Sequence, residues 1–207
     1  MTEEQVRSTL HQHIPERAVD YCFQLWKEKP FKLKLTRSRQ TKIGDFTCKE
    51  SAQPRITLNH DLNRYTFLIT YIHEVAHYRV FLEFGHRAEP HGTRWKNAFQ
   101  KLLEPVLSAE IFPEEIFVLL HKHMINPKAS SFADVALTKA LRSFDENAHA
   151  DIVLSDLPEG STFRLNGRYF KKGKLKRTRV LCKEVNSRRQ YLVPAEALVS
   201  DVQLSLL

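Results

Sequence analysis

One stretch, Tyr71-Ile72-His73-Glu74-Val75-Ala76-His77-Tyr78-Arg79, limits what this chain can build more than any other. From Asp61 onward Leu62, Tyr65, Leu68, Ile69, Ile72, Ala76 and Val80 recur at three- and four-residue steps, and Gly85 supplies a stop signal. The run therefore lies on a helix, and Phe67, Val75 and Phe81 widen its apolar stripe until most sides are covered. At 3.6 residues per turn, His73 and His77 point within about 40° of each other. With ten histidines among 207 residues, chance would produce a His-Glu-x-x-His run only about 0.04 times. Burying two imidazoles and a carboxylate among apolar neighbours is costly unless something compensates, and a divalent metal ion is the simplest compensation. In zinc hydrolases of this pattern, the Glu flanking the His pair takes a proton from water while the ion polarises the substrate carbonyl. Glu74 occupies that position.

A catalytic zinc needs three protein ligands and one open position, so a third side chain must come from elsewhere. His86 follows Gly85 directly, and His91 stands in Pro90-His91-Gly92-Thr93-Arg94-Trp95-Lys96 at the mouth of the next helix. That helix reads Trp95, Phe99, Leu102, Leu103 and Val106 until Pro105 limits it, and it is expected to pack antiparallel on the motif helix. Tyr71, Tyr78 and Arg94 are the candidate donors for a developing oxyanion.

The order His-Glu-x-x-His, thirteen residues, then His-Gly-x-x-Trp-Lys resembles the SprT-like, Spartan-related family of zinc metallopeptidases. The likeness covers residues 31–107 and includes Arg39-Gln-Thr-Lys42-Ile-Gly44 and Ile56-Thr-Leu-Asn59. It implies a zincin-like core, Zn2+ held by His73, His77 and His91, Glu74 as the catalytic base, and protein substrates crosslinked to DNA. Many SprT-like proteins also carry a Cys-based zinc ribbon after the protease core. Here Cys182 stands alone in that region, so no such ribbon forms.

The rest of the chain reads as α+β. Glu3 to His13 is a short helix, and Pro15 opens a second with Val19, Cys22, Phe23 and Trp26 on one face. Phe31, Leu33 and Leu35 then alternate with polar residues, and residues 44–48 and 55–59 make two more strands. A small, mainly antiparallel sheet beside the motif helix follows. Its edge can bind an extended peptide by main-chain pairing, with Arg37, Arg39 and Lys42 along the cleft. Asn59 or Asp61 is the expected N-cap of the motif helix. Pro113 opens a further helix, and Ser131-Phe-Ala-Asp134 reads as a capping box for a last one. His121 and His123, two apart, diverge on a helix and do not share a metal.

Residues 1–142 are the expected metallopeptidase domain, 143–151 a polar linker, and 152–207 a small all-β, barrel-like module with a hairpin at Asn166-Gly167. This module is strongly basic. Arg168, Lys171, Lys172, Lys174, Lys176, Arg177 and Arg179 are its candidate nucleic-acid contacts, with Phe163, Tyr169, Phe170 and Tyr191 interleaved for base stacking. A net charge of +8 favours the same anionic partner, DNA. No secretory signal and no membrane-length apolar run is visible, and three scattered cysteines argue against a disulfide framework, so the expected location is the cytoplasm. A rival expectation is a nucleic-acid-binding protein whose metal site is structural or vestigial.

Overall fold

Amphipathic and alternating segments produce helices α1 (Glu3–His13) and α2 (Val19–Glu28), then strands β1 (Lys32–Thr36), β2 (Gly44–Thr47) and β3 (Arg55–Asn59). Helices α3 (Arg64–Phe84), α4 (Thr93–Leu103), α5 (Glu114–Met124) and α6 (Val135–Arg142) follow. The computed structural model describes residues 1–39, 42–48, 52–128, 134–145 and 152–203. Two compact units divide the chain, Met1–Asp145 and Glu146–Leu207.

The first unit is built around α3. Phe67, Leu68, Tyr71, Ile72, Val75 and Ala76 are wholly buried, so this helix has neighbours on most of its circumference. The Tyr71 hydroxyl donates to Cys22 O at 3.0 Å and ties α2 to α3, while Trp26 Nε1 donates to Phe31 O at 2.8 Å where α2 hands over to β1. Cys22 itself is core packing, as its apolar face predicts. Asn63 is the N-cap of α3, its Oδ1 accepting from the backbone N–H groups of Tyr65 at 3.1 Å and Thr66 at 3.0 Å. Neither Asn59 nor Asp61 fills that role. Asn59 ends β3, and the turn after it is closed by the His60 N–H donating to Thr36 O at 3.0 Å. Gly85, at φ 60°, ends the helix as expected. Asp134 caps α6, its Oδ1 accepting from Leu137 N–H at 3.3 Å, whereas Ser131 of the expected capping box lies outside the described residues.

The sheet of this unit has the order β1-β3-β2. It is mixed, which corrects the expectation of a mainly antiparallel sheet: β1 and β3 pair in parallel, and β2 and β3 antiparallel. Two successive reversals of chain direction make β1 and β3 co-directional. β3, buried at every residue after Arg55, takes the central place because only there does it have a neighbour on each side. β2 is thereby left at the edge, against α3.

The second unit holds β4 (Ile152–Val153), β5 (Thr162–Leu165), β6 (Arg168–Lys176), β7 (Arg179–Glu184), β8 (Gln190–Pro194) and β9 (Leu198–Gln203). They form one antiparallel sheet in the order β4-β9-β5-β6-β7-β8. The sheet is open, not barrel-like: among the described residues β8 pairs only with β7 and the two-residue β4 only with β9, so the ends never meet. Asn166 and Gly167, at φ 50° and 77°, make the predicted hairpin between β5 and β6. Leu154, Phe163, Phe170, Val180, Cys182 and Val199 form its core. Among the described residues, no helix is long and apolar enough to cross a membrane.

Replacing Asn63 by Ala should lower the stability of the first unit by about 1–2 kcal/mol through loss of the α3 cap. Both tryptophans, Trp26 and Trp95, lie in that unit, so urea unfolding followed by tryptophan fluorescence reads it directly.

Candidate metal centre

His73 and His77 are one helical turn apart on α3, and His91 is brought to them by the turn that precedes α4. The three Nε2 atoms lie 3.1 Å (His73 to His77), 3.0 Å (His77 to His91) and 3.2 Å (His73 to His91) apart. The ring centroids are 4.6–5.2 Å apart, so each ring aims its Nε2 inward. Hydrogen bonding alone cannot satisfy this triangle, because each neutral imidazole nitrogen offers one N–H or one lone pair along a single in-plane direction. A cation receiving three lone pairs satisfies all of them together. Tetrahedral zinc at about 2.0–2.1 Å from each nitrogen would separate its ligand atoms by about 3.3–3.4 Å, close to the spacing here. Among the described residues these three histidines form a cluster that could hold a metal ion.

The backbone of His91 is left-handed, at φ 60°, an uncommon conformation for a residue with a side chain, and the surrounding contacts must hold it there. Trp95, wholly buried one turn into α4, does much of this. Its ring centroid is 4.6 Å from His73, 5.4 Å from His77 and 4.7 Å from His91, and its other neighbour is Phe99 at 5.0 Å. The triad therefore rests on an apolar floor that keeps water from one side. Burial holds all three imidazoles below their ordinary pKa, aided at His73 and His77 by the neighbouring histidines: His73 falls to about 2, His77 to about 4, and His91 is lowered. At neutral pH their lone pairs are free for a metal.

Glu74 is buried on the same cleft, whose volume is about 590 Å3. Burial first, then the Asp45 carboxylate, pushes the Glu74 carboxyl up to about 8, while the Phe46 backbone N–H, Arg39 and Lys42 pull it back. β2 reaches Glu74 so closely only because residue 44 is glycine. A Cβ there would stand 2.5 Å from Thr70 Cγ2 and 2.7 Å from Glu74 Oε1.

Of the other residues singled out by sequence, Lys42 and His86 line this cleft, but His86 packs edge-on against Phe81 at 5.0 Å and is not in the triad. Arg37 and Arg39 do not line it, and Arg39 Nε donates instead to Asn59 Oδ1 at 2.9 Å. None of the three expected oxyanion donors reaches the cleft. Tyr71 is bonded to Cys22 O, Tyr78 donates to Pro30 O at 3.4 Å, and the Arg94 guanidinium lies over the Phe84 ring at 3.9 Å. His123 also lines the cleft, a place that its divergence from His121 does not reveal. The signal in the sequence is Ile116, Leu120 and His123 at positions i, i+4 and i+7, which mark one buried stripe of α5.

The candidate nucleic-acid residues divide in the second unit. Lys171, Lys174, Lys176, Arg177 and Arg179 are exposed. Lys172 is buried, donating to the backbone oxygens of Ser155 at 2.9 Å and of Leu157, and so serves the fold. Arg168 faces Glu184 at 3.4 Å and covers the Tyr191 ring at 5.1 Å. Phe163 and Phe170 are core, which leaves Tyr169 as the exposed aromatic of that set.

Metal-free protein should show the Glu74 carboxyl in its pH dependence. Its raised pKa makes the folded state the better proton binder between 4.5 and about 8. Stability from this group is thus complete below 4.5 and lost as pH rises through 8, at up to about 1.4 kcal/mol per pH unit. In the presence of a chelator, Glu74→Gln should match wild type in urea at pH 4.5 and exceed it at pH 9.

Residues 11–112 match the SprT-like family. No match to a curated protein or to a solved structure was found. The matched span contains His73, Glu74, His77 and His91 together with the cleft wall formed by β2, and the chain thus carries a SprT-like family domain over residues 11–112.

Proposed function

We propose that this chain is a zinc-dependent metallopeptidase acting on proteins associated with or crosslinked to DNA. The observation that carries the reading is the convergence of three imidazoles and one buried carboxyl group on a single open cleft. The SprT-like family domain supports the same chemistry. His73, His77 and His91 hold the ion through Nε2. When bound, zinc supplies Lewis acidity to a substrate carbonyl and makes water a stronger acid. Glu74 takes the proton of the attacking water and returns it to the leaving amine. A polypeptide substrate is favoured by the position of β2. Among the described residues this strand pairs only with β3, and Gly44, Asp45 and Phe46 line the cleft, so an extended chain can add to its outer edge by main-chain hydrogen bonds.

Glu74→Gln should retain stoichiometric zinc by elemental analysis and lose about 100-fold or more in cleavage of unfolded protein. His91→Ala should lose the zinc itself. Cleavage by Glu74→Gln at the wild-type rate would sink the peptidase reading.

The link to DNA rests on the exposed cations of the second unit, a single-sign field of the kind that neutralises phosphates. Changing Lys171, Lys174, Lys176, Arg177 and Arg179 together to Gln in the full chain should weaken DNA binding. The logarithmic salt dependence should flatten by about 0.7–0.9 for each phosphate that is no longer neutralised. A salt slope unchanged by the five substitutions would remove DNA from the proposal.

A further inference from the structure

The cleft contains a fourth imidazole with a carboxylate behind it. His123, on the last turn of α5, lines the cleft with Lys128, Trp95 and Phe99, as His73 does. Its side chain is only 3% exposed, and its Nδ1 is 3.4 Å from Asp134 Oδ2. Asp134 has two tasks at once. Its Oδ1 caps α6 by accepting the Leu137 N–H, and its Oδ2 stands opposite His123 Nδ1. A carboxylate facing Nδ1 favours the proton there, and a neutral ring of that tautomer carries its lone pair on Nε2. Burial disfavours the imidazolium more than Asp134 favours it, and Lys128 disfavours it further, so the neutral ring prevails. The carboxylate thus favours one tautomer of the ring that faces it. A histidine needed only for packing requires no such partner.

We propose that His123 is a substrate-binding residue: held by Asp134 in the Nδ1–H tautomer, it presents Nε2 to the cleft as a hydrogen-bond acceptor for a backbone N–H of an extended polypeptide. The inference rests on the polypeptide substrate proposed above, and it adds a second polar contact to the edge of β2. A polypeptide held there is gripped from the β2 side and from α5, which orients the bond to be cut against the triad. Most backbone donors within the secondary structure of a folded protein are already paired, so the contact favours unfolded or extended segments.

Asp134→Asn is the decisive variant. Asparagine caps a helix as well as aspartate does, so α6 is preserved, but its amide donates to Nδ1 and moves the ring proton to Nε2, reversing the polarity of the contact. His123→Phe removes the acceptor while keeping the volume, and serves if Asp134→Asn does not fold. The zinc-loaded Glu74→Gln protein provides a background without turnover, in which the affinity for a fluorescein-labelled unstructured polypeptide is measured by anisotropy. Each added substitution should weaken binding about tenfold, the worth of one hydrogen bond, with zinc content and helical circular dichroism unchanged. In imidazole 15N spectra, His123 Nε2 should be unprotonated with Asp134 present and protonated in Asp134→Asn. Equal affinities across the series, no binding by any member, or a protonated Nε2 with Asp134 present would each overturn the proposal. Glu74-dependent cleavage alongside equal affinities would overturn it while leaving the peptidase reading in place.

Discussion

Three imidazole nitrogens must point at one another inside an apolar wall, and the first unit is arranged to make that tolerable. Without a shared positive charge the arrangement brings lone pairs or N–H groups face to face within 3.2 Å. The long buried helix sets two of the rings, and the aromatic floor of Trp95 and Phe99 prevents them from turning away. The same burial that keeps the rings neutral raises the neighbouring carboxyl, so one physical cause sets the protonation of both. Gly44 completes the arrangement by letting a strand edge lie against that carboxyl.

Much of this was legible in the sequence because it depends on local periodicity. The three- and four-residue recurrence around His73 and His77 reports the helix, Gly85 its end, and the alternation at Phe31, Leu33 and Leu35 the first strand. The third ligand needed more than periodicity. His86 and His91 both follow the motif closely; the His-Gly-x-x-Trp-Lys run points to His91, and its Nε2 closes the triangle in the structure. Strand order was also beyond local patterns, since the parallel pairing of β1 and β3 depends on which strand takes the centre.

Side-chain charge was the least legible property. Lys171 and Lys172 are adjacent and chemically identical, yet one faces solvent and the other is buried with its ammonium on backbone oxygens. Alternation along β6 assigns them to opposite faces, but a long lysine stem tempts one to count both as surface. Tyr71 and Tyr78 err in the same direction. Proximity to the motif in sequence suggests a role in chemistry, whereas a helix buried on most sides sends residues two before and one after the two ligands into the core.

The histidines of the triad have two origins, a continuous helix and the turn before α4, where His91 is left-handed. Ion affinity and tertiary order in this region are therefore coupled thermodynamically. Whatever free energy the cation gains from His91 is the amount by which it stiffens the junction of the two helices, and loosening that junction anywhere weakens capture equally. A cation on these histidines would thus be a gauge of how well the two helices are joined.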